Sequence, residues 1–379
     1  MSGKAFRYIT DQPGVYSESC FGGSESGKCI VHADSARFET PFFKGSFDAA
    51  MRITSMIDRR NGRELCKPGQ ALNQIVCYEN RPHNYDAWDI NIYYNRKSWE
   101  VTDVQSVEVI SEGPVLTCLR VYYRFNRSDI WQDLLFYRDL DRVDFVTTVD
   151  WKESHYMLKA HFPVDVFYNE AAYDIQYGNV KRPSHKNTSW DVARFEVCAH
   201  KWADVSEADY GFCLMNDCKY GYSVDEDSMA LTLLKSSTYP NPEADQERHH
   251  FTYSMMPHTG DWRAAGIPGA AYRLNIPVMV IPVDRKDSVS QELLPFVQIN
   301  RDNVIVETVK QQMDGEDTIV RLYECYGARS EAVMTFGITP RSVETASLME
   351  DALESVPPEG NQIRFLIRPY EILTFRIKY

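Results

Sequence analysis

The sequence predicts an all-β protein built as two sandwiches, a large one followed by a smaller one. Three observations carry this. Apolar and polar residues alternate with period two over many short stretches bounded by turn signals. Only Ser347–Leu353 (SLMEDAL) reads as helix, so the βαβ alternation of a parallel sheet is missing. The 379 residues also include 23 Tyr, 18 Phe and 7 Trp. Aromatic side chains favour strands; a β-rich core accounts for most of them, although such rings also line sugar sites.

The strands follow in order. Val101–Ile110 alternates in part and ends at the turn Glu112-Gly113-Pro114, after which Val115–Phe125 (VLTCLRVYYRF) reads as a second strand. Asp133–Phe136 and Arg142–Trp151 flank the polar turn Arg138–Asp141. Met157–Phe167, Ala172–Tyr177 and Arg194–Val197 continue the pattern, and Tyr210–Asn216 and Ala230–Lys235 read as central strands. Thr259–Ala271 (TGDWRAAGIPGAA), rich in small residues, reads as a short helix or a crossing loop. Arg285–Ser290 is the best polar linker. Beyond it Phe296–Asn300, Val304–Lys310, Thr318–Glu324, Glu331–Gly337, Ile363–Ile367 and Ile372–Ile377 form the smaller sandwich. The boundaries expected are 1–30 for an N-terminal strand and linker, 31–284 for the large sandwich and 285–379 for the small one, a normal domain size. No internal repeat of fixed period is present.

Composition narrows the function. With 41 Lys+Arg against 54 Asp+Glu the net charge is −13, which disfavours a nucleic-acid partner. The first residues lack the apolar run of a signal peptide, and no stretch reaches the ~18 apolar residues of a membrane span. The nine Cys form no C-x-x-C pair, so reduced thiols in a cytoplasmic protein are the expectation. Asn126-Arg-Ser128 and Asn187-Thr-Ser189 then read as chance glycosylation sequons.

Several constellations could carry chemistry. His32-Ala-Asp34 has a spacing that puts two ligands on one face of a strand, but two ligands are not a zinc site. His249 and His250 would point to opposite faces of a strand. Gly22–Lys28 comes close to a phosphate loop, yet Cys29 stands where the Mg²⁺-binding Ser/Thr belongs; it reads as a glycine-rich loop. Two segments stand out. Asn80–Tyr94 (NRPHNYDAWDINIYY) gathers Tyr85, Asp86, Trp88, Asp89, Tyr93 and Tyr94; it is either an aromatic loop packed on the sandwich or a sugar site, where carboxylates bind vicinal hydroxyls and Trp stacks on the ring. Asn216–Tyr222 (NDCKYGY) follows a buried-looking strand; it is either a capped turn or a site at a strand end.

These segments resemble glycoside hydrolase family 38, the α-mannosidases, and specifically the C-terminal half of the bacterial and vacuolar type. The matching stretches are FKGSFDAAMRITSMIDRRNGREL (43–65), NRPHNYDAWDI (80–90), VDWKESHYMLKAHFPVDV (149–166), the long stretch 175–223, YPNPEADQERHHFTYSMMPHTGDW (239–262) and LIRPYEILTFRI (366–377). They run through nearly the whole chain in the family's order. The resemblance implies a large mutarotase-like super-sandwich and a smaller C-terminal β-sandwich. It implies part of a retaining, zinc-dependent exo-α-mannosidase acting on terminal α-mannose. The catalytic carboxylates and the zinc belong to an N-terminal barrel, so neither a catalytic residue nor a cofactor is expected in this chain.

By position in the family, Tyr85, Asp86, Trp88 and Asp89 match a loop reaching the −1 mannose, and Asp217 and Lys219 match a turn approaching the same sugar. Their implied role is substrate binding. His185, Asn187, Trp190 and Asp191 are expected to anchor the sandwich through hydrogen bonds. The implied partners are a mannose-containing oligosaccharide and a barrel half on the same or another chain, with self-association through the exposed docking face. Two alternatives stand beside this reading: a stand-alone carbohydrate-binding sandwich presenting Trp88, and a mutarotase-like epimerase pairing His161 or His185 with Glu153 or Asp165.

Overall fold

The computed structural model describes residues 31–278 and 295–379. The expected N-terminal strand at 1–30, the glycine-rich Gly22–Lys28 segment and the linker Arg285–Ser290 lie outside the described residues. The described residues form two compact units: 31–174 with 180–275, and 175–179 with 276–278 and 295–379.

In the larger unit a nine-stranded antiparallel sheet runs Gly178–Pro183, Glu170–Ile175, Trp202–Ser206, Tyr210–Asn216, Arg248–Thr259, Val143–Asp150, Ser128–Tyr137, Leu116–Phe125 and Val104–Glu112. A six-stranded sheet runs Val197–Cys198, Gly221–Val224, Met229–Lys235, Tyr156–Phe162, Gln74–Glu79 and Ser98–Glu100. A five-stranded sheet spans 32–64 in chain order. All three contribute to one hydrophobic core. Phe145 of the nine-stranded sheet meets Phe162 of the six-stranded sheet at 6.1 Å, and Phe38 of the five-stranded sheet stacks on Phe136 at 4.7 Å. Alternation sets this up: along Ser128–Tyr137 every second side chain is buried, as a strand with one face on a core requires. Inside the core a closed polar ring is satisfied by its own members. Asn73 donates to Gln132 at 2.7 Å, Gln132 donates to the Tyr253 hydroxyl at 2.8 Å, and Tyr253 donates back to Asn73 at 2.6 Å.

The smaller unit packs a three-stranded sheet (Val297–Ile299, Ser330–Phe336, Gln362–Ile367) against a five-stranded one (Val304–Gln311, Thr318–Glu324, Ile372–Lys378, Ser342–Ala346, Ala352–Ser355). Val320, Leu322, Phe336, Ile363 and Phe375 form its core.

Two elements differ from expectation: the helix at Ser347–Leu353 and the strand at Arg194–Val197, of which only Val197 lies in a strand. Ser347–Leu353 is not a helix but a turn running into the strand Ala352–Ser355. The Ser347 hydroxyl accepts from the amides of Met349 and Asp351 at 3.1 and 3.2 Å, a local alternative to helical bonds. Glu350 has a left-handed backbone (φ 72°) and is held by Lys310 at 2.5 Å and by the Met313 amide at 2.8 Å. The choice left open at 259–271 resolves as turns followed by a helix over Ile267–Asn275. The stretch 194–196 is a turn, preceded by a helical turn Ser189–Val192 with a Thr188/Asp191 capping box.

Candidate functional site at one end of the large sandwich

Strand direction collects the relevant loops at one end. The register places Asp150 opposite Arg248 and Asn216 opposite Tyr253, and Tyr156 opposite Glu79 beside Met157–Lys235. Each of these strand ends leads into a connection at that end: 80–97, 151–155, 217–220 and 236–247. Both segments singled out in the sequence therefore sit on the same end of the sandwich.

Within the first loop, residue 85 makes the turn. Tyr85 has φ 56°, and its carbonyl accepts from the amides of Trp88 and Asp89 at 2.8 and 2.9 Å. The turn throws both rings outward: Tyr85 is 71% exposed and Trp88 68%. Asp86 points the other way. Its Oδ2 accepts from the Thr238 amide at 2.7 Å and hydroxyl at 3.3 Å, and its carbonyl accepts from Lys235 at 2.6 Å and from the Ser237 hydroxyl at 2.9 Å. Lys235 also donates to the Asp89 carbonyl. Burial pushes the Lys235 ammonium down from its usual range, against the pull of Asp86, Asp89 and Asp245. The loop is thus pinned from beneath by one lysine and one carboxylate, while Tyr85, Trp88 and the exposed Asp89 face solvent.

Four polar atoms under this loop are buried without a hydrogen-bond partner among the described residues: Asp86 Oδ1, His155 Nδ1 and both side-chain heteroatoms of Asn80. His155 Nδ1 stands 3.7 Å from Asp86 Oδ2, and its Nε2 lies 3.2 Å from the Thr238 hydroxyl. Buried polar groups are normally paired, so this is where the end of the sandwich is least self-sufficient.

In the second segment Asp217 is clamped to the neighbouring strand: its amide donates to the Thr252 carbonyl at 3.0 Å and its Oδ2 accepts from the Thr252 amide at 2.9 Å. Its Oδ1 is buried and unpartnered. The Lys219 amide donates to Asn216 Oδ1 at 2.7 Å, and its ammonium lies 4.6 Å from the centroid of the buried Phe251 ring. The capped turn is present, and it carries the half-buried Asp217 and Lys219.

The remaining candidates separate. His185 lies 3.6 Å from Asp191, which caps the helical turn, and the Asn187 amide lies 3.4 Å from the His185 ring; Trp190 is 75% exposed. His32 and Asp34 bind each other at 3.0 Å, with Glu112 at 3.4 Å from the histidine, as a surface pair. Among the described residues no group of three or more His, Cys, Asp or Glu is placed to hold a metal ion; these residues do not fit zinc. The four residues of the epimerase alternative have other partners: Glu153 accepts from the Arg127 amide and the Ser128 hydroxyl, His161 bonds Tyr78, His185 lies beside Asp191, and the Asp165 amide donates to the Leu65 carbonyl. Residues to which sequence reasoning gave no role are Lys235, the last of its strand, and Thr238 and His155 in the connections; only their place at a strand end or beyond one marks them.

Comparisons with known proteins agree with one another. Residues 38–243 match the glycosyl hydrolases family 38 C-terminal domain and residues 303–375 the family 38 C-terminal beta sandwich domain. The chain is 34% identical to "Alpha-mannosidase G" of Dictyostelium discoideum, covering 98% of this chain and 34% of that protein. It is 32% identical to human "Alpha-mannosidase 2C1", covering 90% of this chain and 33% of that protein. An α-mannosidase structure from Enterococcus faecalis superposes over 96% of this chain and 44% of its own, with TM-score 0.76 at 14% identity. The chain spans about a third of the length of the curated relatives it matches. It therefore belongs to the glycosyl hydrolases of family 38, of whose members it carries the C-terminal β-sandwich domains.

Proposed function

We propose that this chain serves as the pocket-closing C-terminal part of a retaining, zinc-dependent exo-α-mannosidase that removes terminal α-mannose from oligosaccharides in the cytoplasm. The zinc and the two carboxylates, which retaining hydrolysis needs roughly 5 Å apart, are supplied by a barrel outside these residues, on the same or another chain. Here Tyr85, Trp88 and Asp89 form a wall against the −1 sugar, Asp217 and Lys219 approach the same ring, and Asp86 holds the wall in position. Their contribution is orientation of the substrate rather than proton transfer.

The observation that supports this reading is the pinned loop that presents two aromatic rings at 71% and 68% exposure. Rings held outward by a buried scaffold suit a partner surface or a sugar face better than a fold's own core. Tyr93 and Tyr239, 56% and 65% exposed, belong to the same end. The same openness of Trp88 supports a second reading, a carbohydrate-binding sandwich that acts alone. The two part in a reconstituted enzyme. Under the first reading, Trp88→Ala and Tyr85→Ala each lower kcat/KM on an α-mannoside about tenfold, equivalent to about 1.4 kcal/mol. Unchanged kcat/KM together with lost sugar binding by the isolated chain supports the second.

A further inference from the structure

Strand Tyr156–Phe162 turns Leu158, Ala160 and Phe162 into the core, so Lys159 and His161 belong to the opposite face of the six-stranded sheet. That face is covered by 92–96 and 184–196, and between them lies a recess of about 170 Å³. A dry cavity of roughly 150 Å³ already admits a benzene-sized ring.

The recess is polar but balanced in charge. The Tyr78 hydroxyl and His161 Nε2 are 2.9 Å apart. Two lining groups are held by an ion pair outside the lining: Ser223 accepts from Lys159 at 2.7 Å, Lys159 is paired with Glu196, and Tyr94 donates to Glu196 at 2.6 Å. Glu196 Oε2 is buried with no partner among the described residues. Lys159 and Glu196 cancel, and burial, with the nearby Lys159, pushes His161 down to about 3, so it is neutral. The rim charges are matched as well, Lys186 standing 4.0 Å from Asp225 and Arg194 3.9 Å from Asp191. An anion would meet no unopposed positive charge here, whereas hydroxyl groups would meet donors and acceptors together. Tyr78, Tyr94 and Phe195 supply ring surfaces, with centroids 5.1 Å apart for the first pair and 6.4 Å for the second.

We infer that this recess, formed by Tyr78, Tyr94, His161, Phe195, Ser223 and Asp225, is a second binding site for a neutral polyhydroxylated ring of the monosaccharide class. It contains none of the six residues assigned to the mannose pocket wall and does not depend on that assignment.

The test is a ¹³C-methyl titration of the full chain with methyl α-D-mannopyranoside, with D-glucose and with inorganic phosphate in parallel. Ile92 and Ala230 line the recess and report it directly. The expected result is saturable shifts of both methyl groups with at least one sugar and none with phosphate. Ala230→Leu, which fills the recess, abolishes binding; Asn95→Ala on the exposed rim weakens it about threefold or more; Trp88→Ala leaves it unchanged. If Ala230→Leu fails to fold, Asn95→Ala decides. The inference is overturned if neither sugar moves Ile92 and Ala230 saturably, if phosphate alone does, or if Trp88→Ala abolishes sugar binding that Asn95→Ala spares.

Discussion

At the level of single residues, the candidate wall divides its work between side chains that show and side chains that hold. Asp86 holds. Replacing it by Ala removes the acceptor for the Thr238 amide at 2.7 Å and should cost about 1–3 kcal/mol, read as a shift in urea midpoint. Trp88 shows: being 68% exposed, its replacement by Ala should change stability by no more than about 0.5 kcal/mol. The same two variants therefore distinguish a loop built for presentation from one packed for its own sake, and equal stability losses would contradict the account. The residue types at Tyr85–Asp89 were legible in the sequence, because acid and aromatic side chains crowd one loop. Their division was not. It depends on a left-handed backbone at Tyr85 and on Lys235 and Thr238, about 150 residues away in sequence, and no local pattern announces either.

At the level of elements, two histidines, half-buried His161 and buried His258, give stability opposite pH dependences. His161, pushed down to about 3 by burial and by Lys159, is neutral when folded. Its contribution is present above the ordinary value near 6.5 and is lost as pH falls from there towards 3. For His258, burial opposes the charge, but Asp204 at 2.8 Å outweighs it and raises the pKa. That contribution is present below about 6.5 and is lost as pH rises through the raised value. Plots of urea midpoint against pH should become flatter between about 6.5 and 3 in His161→Gln and flatter above about 6.5 in His258→Gln. The pair Lys159–Glu196, with Lys159 fully buried, makes a sharper case. Glu196→Ala strands a buried ammonium and should cost about 3–5 kcal/mol, while adding Lys159→Met should restore most of it. The strand over Tyr156–Phe162 followed from the sequence as part of Met157–Phe167; the ion pair of its buried Lys159 with Glu196 did not. Two elements are misread: Arg194–Val197, which is mostly a turn after the helical turn Ser189–Val192, and Ser347–Leu353, where helix-forming residues lose to the Ser347 hydroxyl and to strand pairing. Such tertiary competition leaves no trace in a seven-residue window.

For the whole molecule, the claim is that this sandwich end completes a site made by other residues. If so, the aromatic surface at Tyr85, Trp88, Tyr93 and Tyr239 is a docking face, and the isolated chain should self-associate through it. Sedimentation velocity should show a concentration-dependent dimer that Trp88→Ala weakens; a monomer at all concentrations, with sugar binding intact, supports the free-standing module. Family membership and the two sandwiches were readable along the whole chain, since the matching stretches keep their order. The candidate site was readable only in part: residue types mark 80–94 and 216–222, but the groups that hold them, such as Lys235, Thr238 and Thr252, come from distant parts of the chain. The most direct measurement is hydrolysis of 4-nitrophenyl α-D-mannoside with zinc by this chain, by a separately expressed family 38 barrel half, and by the two mixed. The account predicts activity in the mixture that exceeds the sum of the parts and falls with Trp88→Ala. Hydrolysis by this chain alone would contradict it, because carboxylates among these residues would then be doing the chemistry.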